Sequence, residues 1–396
     1  PKYYRYRILW NVLGKYAVKT KVPTHVDLEL SSYCNLRCTM CHVGLGEKLS
    51  YKKIEVKQLL RNLGGLGPIW YDIGSTHEPT MHPDFVELAV GLTRLGGNIS
   101  TVTNATLLTA KKRAGLDEAN IKKLTVSFDG CTKETYESIR LRANYESALN
   151  NIEGLVSQLN GTDTYFSISN TIQKENLDEI EQCVDFWNEF NFNHINYLAL
   201  VVREDDARLI SSSIEEKIEE LELRLNNAAT QVIENQLDIT LSSPVFGKLG
   251  PAKSRYPDNF VTARDFHYVI SDSESAMPPF APMPFFQSGP YPGMPIDCSS
   301  PFKMARIDYS GNVVLCHKIV IGNIYEKPFE DIWYGKEANA VRAYVQTEDT
   351  LCNSCNFFKF CINCSEVDYS NKDNFRNANK DNFRNSRIRP SSKVES

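Results

Sequence analysis

Eleven cysteines stand in this chain of 396 residues, and nine of them fall into two groups, at 34, 38, 41 and at 298, 316, 352, 355, 361, 364. Such tight spacings are poor geometry for disulfides and good geometry for thiolate–metal bonds, so a reducing cytoplasm with bound metal is the expectation. Thiolates are soft ligands that suit iron–sulfur clusters and zinc. Cys34, Cys38 and Cys41 are spaced C-x3-C-x2-C on one loop. A structural zinc site takes four ligands, usually as two separated pairs. Here three thiolates stand together with no fourth cysteine near them, and His42, adjacent to Cys41, is badly placed to reach the same metal. Three thiolates on a cubane leave one iron open to bind something else, and an open position is a catalytic feature.

The second group reads C-x12-G-x4-C from Cys298 through Gly311 to Cys316, then C-x2-C-x5-C-x2-C through Cys352, Cys355, Cys361 and Cys364. Arg306–Leu315 between them has the pattern of a hairpin with Ser310-Gly311-Asn312 at its turn. Two zinc sites are the plain alternative, and six thiolates make two only with borrowed histidines.

These residues need a frame. Residues 25–201 alternate short apolar runs with amphipathic stretches. Strands are expected at His25–Ser32, Ile69–Gly74, Asn98–Asn104, Lys122–Asp129, Thr164–Thr171 and His194–Val201. Helical patterns lie between them at Asp84–Leu95, Lys133–Leu159 and Asn176–Phe190, and a long charged helix follows at Ile214–Asn235. Six β-then-α units imply an α/β fold, a partial (β/α)6 TIM-like barrel with right-handed crossovers. Such barrels carry their chemistry at the C-terminal ends of the strands, where the first cysteine group falls.

The organisation expected is an N-terminal helix or extension over 1–24, the barrel over 25–240, and a linker or aromatic lid over 241–297. A small hairpin-and-helix domain for an auxiliary cluster over 298–370 and a polar tail over 371–396 complete it. The tail repeats NKDNFRNA as NKDNFRNS and carries no assigned chemistry. A net charge of −5 gives no reason to expect nucleic acid, and no apolar run of membrane-spanning length occurs.

Cys34-Asn35-Leu36-Arg37-Cys38-Thr39-Met40-Cys41 after a strand resembles the defining motif of the radical S-adenosylmethionine (SAM) superfamily. The resemblance extends over about residues 24–201 in the family's order. Gly74-Ser75-Thr76-His77-Glu78-Pro79 is similar to its GGEP motif, whose backbone holds the SAM amine. Val102-Thr103-Asn104-Ala105 is similar to its third-strand segment. Ser127-Phe128-Asp129-Gly130, with Arg140 beyond, is similar to the segment that meets the ribose and carboxylate. Met40 stands where an aromatic is usual beside adenine, and His77 replaces a motif glycine, either facing substrate or bonded to backbone.

The second group resembles the SPASM auxiliary-cluster domain, with Gly322-Asn323-Ile324 and Asp331-Ile332-Trp333 as further matching phrases. The pattern's seventh cysteine is missing. Two auxiliary clusters, held by Cys298, Cys316, Cys364 and by Cys352, Cys355, Cys361, are preferred over one four-cysteine cluster of the twitch type.

What the resemblance implies is an iron–sulfur oxidoreductase with 4Fe-4S clusters and SAM as cofactors. A 5′-deoxyadenosyl radical takes a substrate hydrogen atom, and an auxiliary cluster accepts the remaining electron. His317, directly after Cys316, stands where relatives carry a base, the alternative being a histidine of the cluster's surroundings. A redox-neutral epimerisation would need a hydrogen-donating thiol, for which Cys131 and Cys183 are the unassigned candidates, both otherwise small buried residues. A flavodoxin- or ferredoxin-type electron donor is implied. Only 24 residues precede the first strand, leaving no room for a leader-recognition domain. The substrate expected is therefore a sugar, aminocyclitol or other small metabolite, with a peptide as the alternative.

Overall fold

The computed structural model describes residues 22–41, 51–64, 66, 69–74, 76–200, 212–243, 260–262, 300–315 and 319–344. Residues 1–21, Ser75, most of 241–297, the whole second cysteine group, His317 and the tail lie outside the described residues.

Six strands run in the expected order: β1 His25–Leu28, β2 Trp70–Ile73, β3 Asn98–Thr103, β4 Ile121–Ser127, β5 Tyr165–Ile172 and β6 His194–Ala199. The sheet goes on through β7 Thr240–Ser243 and β8 Phe260–Thr262, short runs with no long apolar signature. All eight are parallel and pair in sequence order. The sheet stays open, because β1 pairs β9 Met304–Ile307 on its other side rather than β8. Strand β9 turns back into β10 Asn312–Leu315, which pairs antiparallel with β11 Ile319–Asn323. The C-terminal hairpin therefore extends the barrel sheet instead of standing apart from it.

The crossovers are α1 Val56–Leu63, α2 Phe85–Arg94, α3 Ala110–Arg113, α4 Lys133–Ile139, α5 Tyr145–Gln158, α6 Ile180–Glu189 and α7 Ile218–Glu234. Beyond them come α8 Ser300–Lys303, α9 Phe329–Trp333 and α10 Lys336–Tyr344. The helix expected over 133–159 is broken at Arg140–Asn144, for a local reason. Arg142 sits at φ 74°, a left-handed conformation that ends α4, and the Asn144 side chain accepts from Ser147 N to start α5. The break swings Arg140 off the helix and toward the end of β4.

Alternation sorts the strand residues into two faces. Leu28, Ile73, Leu124, Val126, Ile168 and Ile195 are buried in the apolar layer under the helices. The inward positions are polar: His25 and Asp27 on β1, Asp72 on β2, Ser100 on β3, and Ser167 on β5. Among the described residues no helix is long and apolar enough to cross a membrane.

Candidate active site

The loop after β1 is held by its own backbone and by α4. Arg37 N donates to Leu141 O at 3.0 Å and Thr39 N to Ile139 O at 2.9 Å. The Arg37 guanidinium donates to Cys34 O and Leu36 O at 2.7 Å and lies over the Tyr33 ring. Cys38 is buried, and Cys34 and Cys41 are half-buried. The three thiols are not among the groups whose ligand atoms all fall within 4.8 Å of one another. Three thiols on one loop suit a polynuclear cluster with one open metal position.

The electrostatics of the loop point the same way. Burial pushes the Cys38 thiol up to about 12, with Arg140 pulling it down. Cys34 is also raised, by burial first, against the backbone donor of Leu36. As bare thiols they stay protonated, and a metal that takes thiolates displaces those protons. The Asn104 amide donates to Cys34 Sγ at 3.9 Å and to Asn35 Oδ1 at 3.1 Å. Asn35 in turn donates to Thr106 Oγ1 at 2.8 Å. Two buried polar atoms at the loop, Arg140 Nε and Thr39 Oγ1, have no hydrogen-bond partner among the described residues.

Glu78 ties β2 to β3. Its Oε1 accepts from Thr80 N and Thr103 Oγ1, at 3.1 and 2.7 Å, and its Oε2 accepts from Asn104 N at 2.7 Å. Burial raises the carboxyl's pKa while these donors oppose the rise. The carboxylate is thus occupied inside the protein and fixes the backbone around it. Gly74, at φ 90°, lets Pro79 approach: a Cβ there would lie 2.5 Å from the proline ring. His77 rests edge-on against Tyr309 of the hairpin turn, with centroids 6.2 Å apart. Met40 is half-buried on the cysteine loop.

Asp129 and Arg140 form a buried ion pair, Oδ2 to NH2 at 2.6 Å, and Asp129 Oδ1 accepts from Thr171 N. Burial opposes the Arg140 charge, but the Asp129 carboxylate outweighs it and raises the guanidinium's pKa. Arg140 is the cation that the Cys34 and Cys38 sulfurs feel. Ser127 ends β4, half-buried, on the same side as Asp129. The cysteine loop, Glu78, Asn104, Ser127, Asp129 and Arg140 therefore meet at the C-terminal edge of β1–β4.

Cys131 and Cys183 lie elsewhere. Cys131 Sγ is 3.5 Å from Glu179 Oε2, and Asn170 donates to Cys183 Sγ at 3.9 Å, on the helix side of the sheet. Cys298, Cys316, His317, Cys352, Cys355, Cys361 and Cys364 are outside the described residues. Asn35, Thr39 and Thr171 join the site without having been expected. Asn35 was legible as a polar residue inside the cysteine motif, whereas the Thr171 contribution is a backbone amide that no sequence pattern marks.

The chain matches the radical SAM superfamily over residues 28–186 and the SPASM iron–sulfur cluster-binding domain over 298–356. It is 26% identical to the AdoMet-dependent heme synthase of Methanosarcina barkeri, over 89% of this chain and 93% of that one. It is 33% identical to the PqqA peptide cyclase of Rhodopseudomonas palustris, over 30% of this chain and 32% of the relative. In fold it is similar to Streptococcus suis SuiB bound to S-adenosylmethionine, with TM-score 0.57 and 15% identity over 88% of this chain and 74% of that one. The chain belongs to the radical SAM superfamily, as an iron–sulfur enzyme with a SPASM domain whose cofactors are 4Fe-4S clusters and SAM.

Proposed function

We propose that Cys34, Cys38 and Cys41 ligate the SAM-binding cluster and that the enzyme oxidises an unactivated C–H position of a small molecule. When bound, the cofactors supply a 5′-deoxyadenosyl radical that takes the hydrogen atom and an auxiliary cluster that takes the second electron. The observation that carries this reading is the three-thiol loop pinned beside the Asp129–Arg140 pair at the C-terminal edge of the barrel.

The chain's residues take these parts. Asn104 steadies the Cys34 sulfur, and Arg140 offsets the negative charge of the thiolates. Glu78 holds the 74–80 segment so that its backbone, with His77 and Pro79, meets the amino group of SAM. Ser127 faces the ribose, Asp129 holds Arg140 beside it, and Met40 packs on adenine. Cys298, Cys316, Cys352, Cys355, Cys361 and Cys364 hold the auxiliary clusters, and His317 removes the proton that accompanies oxidation. Cys131, beside Glu179, and Cys183, on α6, lie on the helix side of the sheet and support oxidation over a return of hydrogen to the substrate. Electrons enter from a flavodoxin- or ferredoxin-type donor.

A small-molecule substrate is supported by extent of likeness, since the heme synthase matches over nearly the whole chain and the peptide cyclase over less than a third. A peptide substrate is the second reading, favoured by the higher identity to that cyclase. Anaerobically reconstituted protein should cleave SAM to 5′-deoxyadenosine with dithionite, and Cys38→Ala should lower the rate by at least about a hundredfold. Cleavage by the alanine variant at the parent rate would defeat the assignment.

A further inference from the structure

At and below the level of the cysteine corner, the inner wall of the barrel carries polar groups without a side-chain partner among the described residues. Alternation settles which residues face inward. On β4, Phe128 stacks on Tyr136 and meets Trp187 on the helix side, so Thr125 faces the lumen. On β5, Asn170 reaches Cys183 of α6, which turns Ser167, Ser169 and, just past the strand, Gln173 inward. On β1, Val26 and Leu28 are fully buried while His25 meets Asp27 and Asp72, so Glu29 follows His25 and Asp27 into the lumen.

Glu29 is 8% exposed, and among the described residues its carboxylate has no hydrogen-bond or ion-pair partner. The nearby cations are engaged: Arg306 pairs with Asp27, His25 pairs with Asp72, and Lys123 stands a layer deeper in the field of Asp72. Gln173 is 0% exposed, and among the described residues neither its amide nitrogen nor its oxygen has a partner. Thr125 and Ser167 are register neighbours, and their hydroxyls and that of Ser169 are likewise unbonded among the described residues. A closed barrel of this class fills the same space with layers of Val, Ile and Leu. A buried amide left unpaired is costly, and Gln173 together with the other inward polar residues makes this a wall for a polar occupant.

We infer that the lumen binds a polyhydroxylated small molecule, with Glu29 accepting from two neighbouring substrate hydroxyls and Gln173 contacting it from the end of β5. This rests on the small-molecule reading above. A carboxylate offers two acceptor oxygens to a vicinal diol, and amide and hydroxyl side chains donate and accept as substrate hydroxyls do. A porphyrin such as coproporphyrin III would set carboxylates against the Glu29 carboxylate and offer no vicinal hydroxyls, a mismatch that sites of this kind convert into strong rejection.

The test is a titration of the holoenzyme with SAM present, using myo-inositol, glucose and coproporphyrin III as probes. The polyols should bind saturably, and Glu29→Gln and Gln173→Leu should each weaken them by about tenfold. Asn227→Ala, on the outer surface of α7, should keep the parent affinity. If Glu29→Gln melts below the parent, Ser169→Val supplies the same comparison. Absence of saturable polyol binding by the parent, or equal affinity in the lumen variants, overturns the inference, as does coproporphyrin III binding that polyols do not displace. SAM cleavage without polyol binding defeats this inference alone. Polyol binding without SAM cleavage defeats only the radical reading.

Discussion

Both ends of the barrel bury charge, but they finish it differently. At the N-terminal end His25 Nε2 lies 2.7 Å from Asp72 and 3.5 Å from Asp27, and Arg306 Nε lies 3.8 Å from Asp27. His194 is held between Thr240 and Ser242 at 2.9 and 2.8 Å. Charges there are answered by other parts of the chain. At the C-terminal end Arg140 Nε and Thr39 Oγ1 are buried beside the three thiols without a hydrogen-bond partner among the described residues. The difference separates architecture from function: buried charge that is internally paired shapes the fold, and buried polar groups left incomplete mark where something else binds.

The largest expected effect breaks the C-terminal end. Arg140→Met leaves Asp129 buried and unpaired and should lower unfolding free energy by about 3–5 kcal/mol, read by urea denaturation. The same variant should reconstitute with less iron per chain, because the cation beside Cys38 is gone. Unchanged iron content would detach the ion pair from the cluster. Next, Glu78→Gln puts an amide where a carboxylate accepts from Thr80, Thr103 and Asn104, at a cost of about 2 kcal/mol.

The N-terminal end should respond to pH instead. Burial alone would lower the His25 pKa, but Asp72 and Asp27 outweigh it and raise it to about 10. A raised folded pKa gives stability that is complete below the unfolded value of about 6.5 and lost as pH climbs toward 10. Burial, reinforced by Lys123, holds His194 down to about 3, so its contribution is present above about 6.5 and lost as pH falls toward 3. Melting temperatures should therefore decline on both sides of neutrality, and Asp72→Asn should flatten the alkaline limb. An unchanged alkaline limb in that variant would show that His25 is not the group responsible. The smallest effect expected is that of Asn144→Ala, which removes the α5 cap to Ser147 N and should cost about 1 kcal/mol in the same denaturation.

Much of this contrast was legible in the residues themselves. The C-x3-C-x2-C spacing, the strand starts at His25, Asn98 and His194, and the segments around Glu78 and Asp129 are local patterns, and local patterns survive into the fold. What escaped was tertiary. Strands β7 and β8 are four and three residues long and draw their pairing from the sheet they join. The hairpin was readable, but its parallel pairing with β1 depends on an edge that no local pattern describes. The helix break at Arg142 brings Arg140 to Asp129, an ion pair between residues whose meeting only the folded chain supplies. The run His25-x-Asp27-x-Glu29 showed alternation, yet nothing in it said that two of the three would be paired and the third left open.

The central claim, that SAM meets a cluster on the β1 loop, is tested most directly by electron paramagnetic resonance of the dithionite-reduced protein. Adding SAM should change the signal of one cluster, and that change should be absent in a Cys34→Ala, Cys38→Ala, Cys41→Ala variant that keeps its auxiliary clusters. A spectrum that SAM leaves untouched, or a SAM-dependent change that persists in the triple variant, would contradict it.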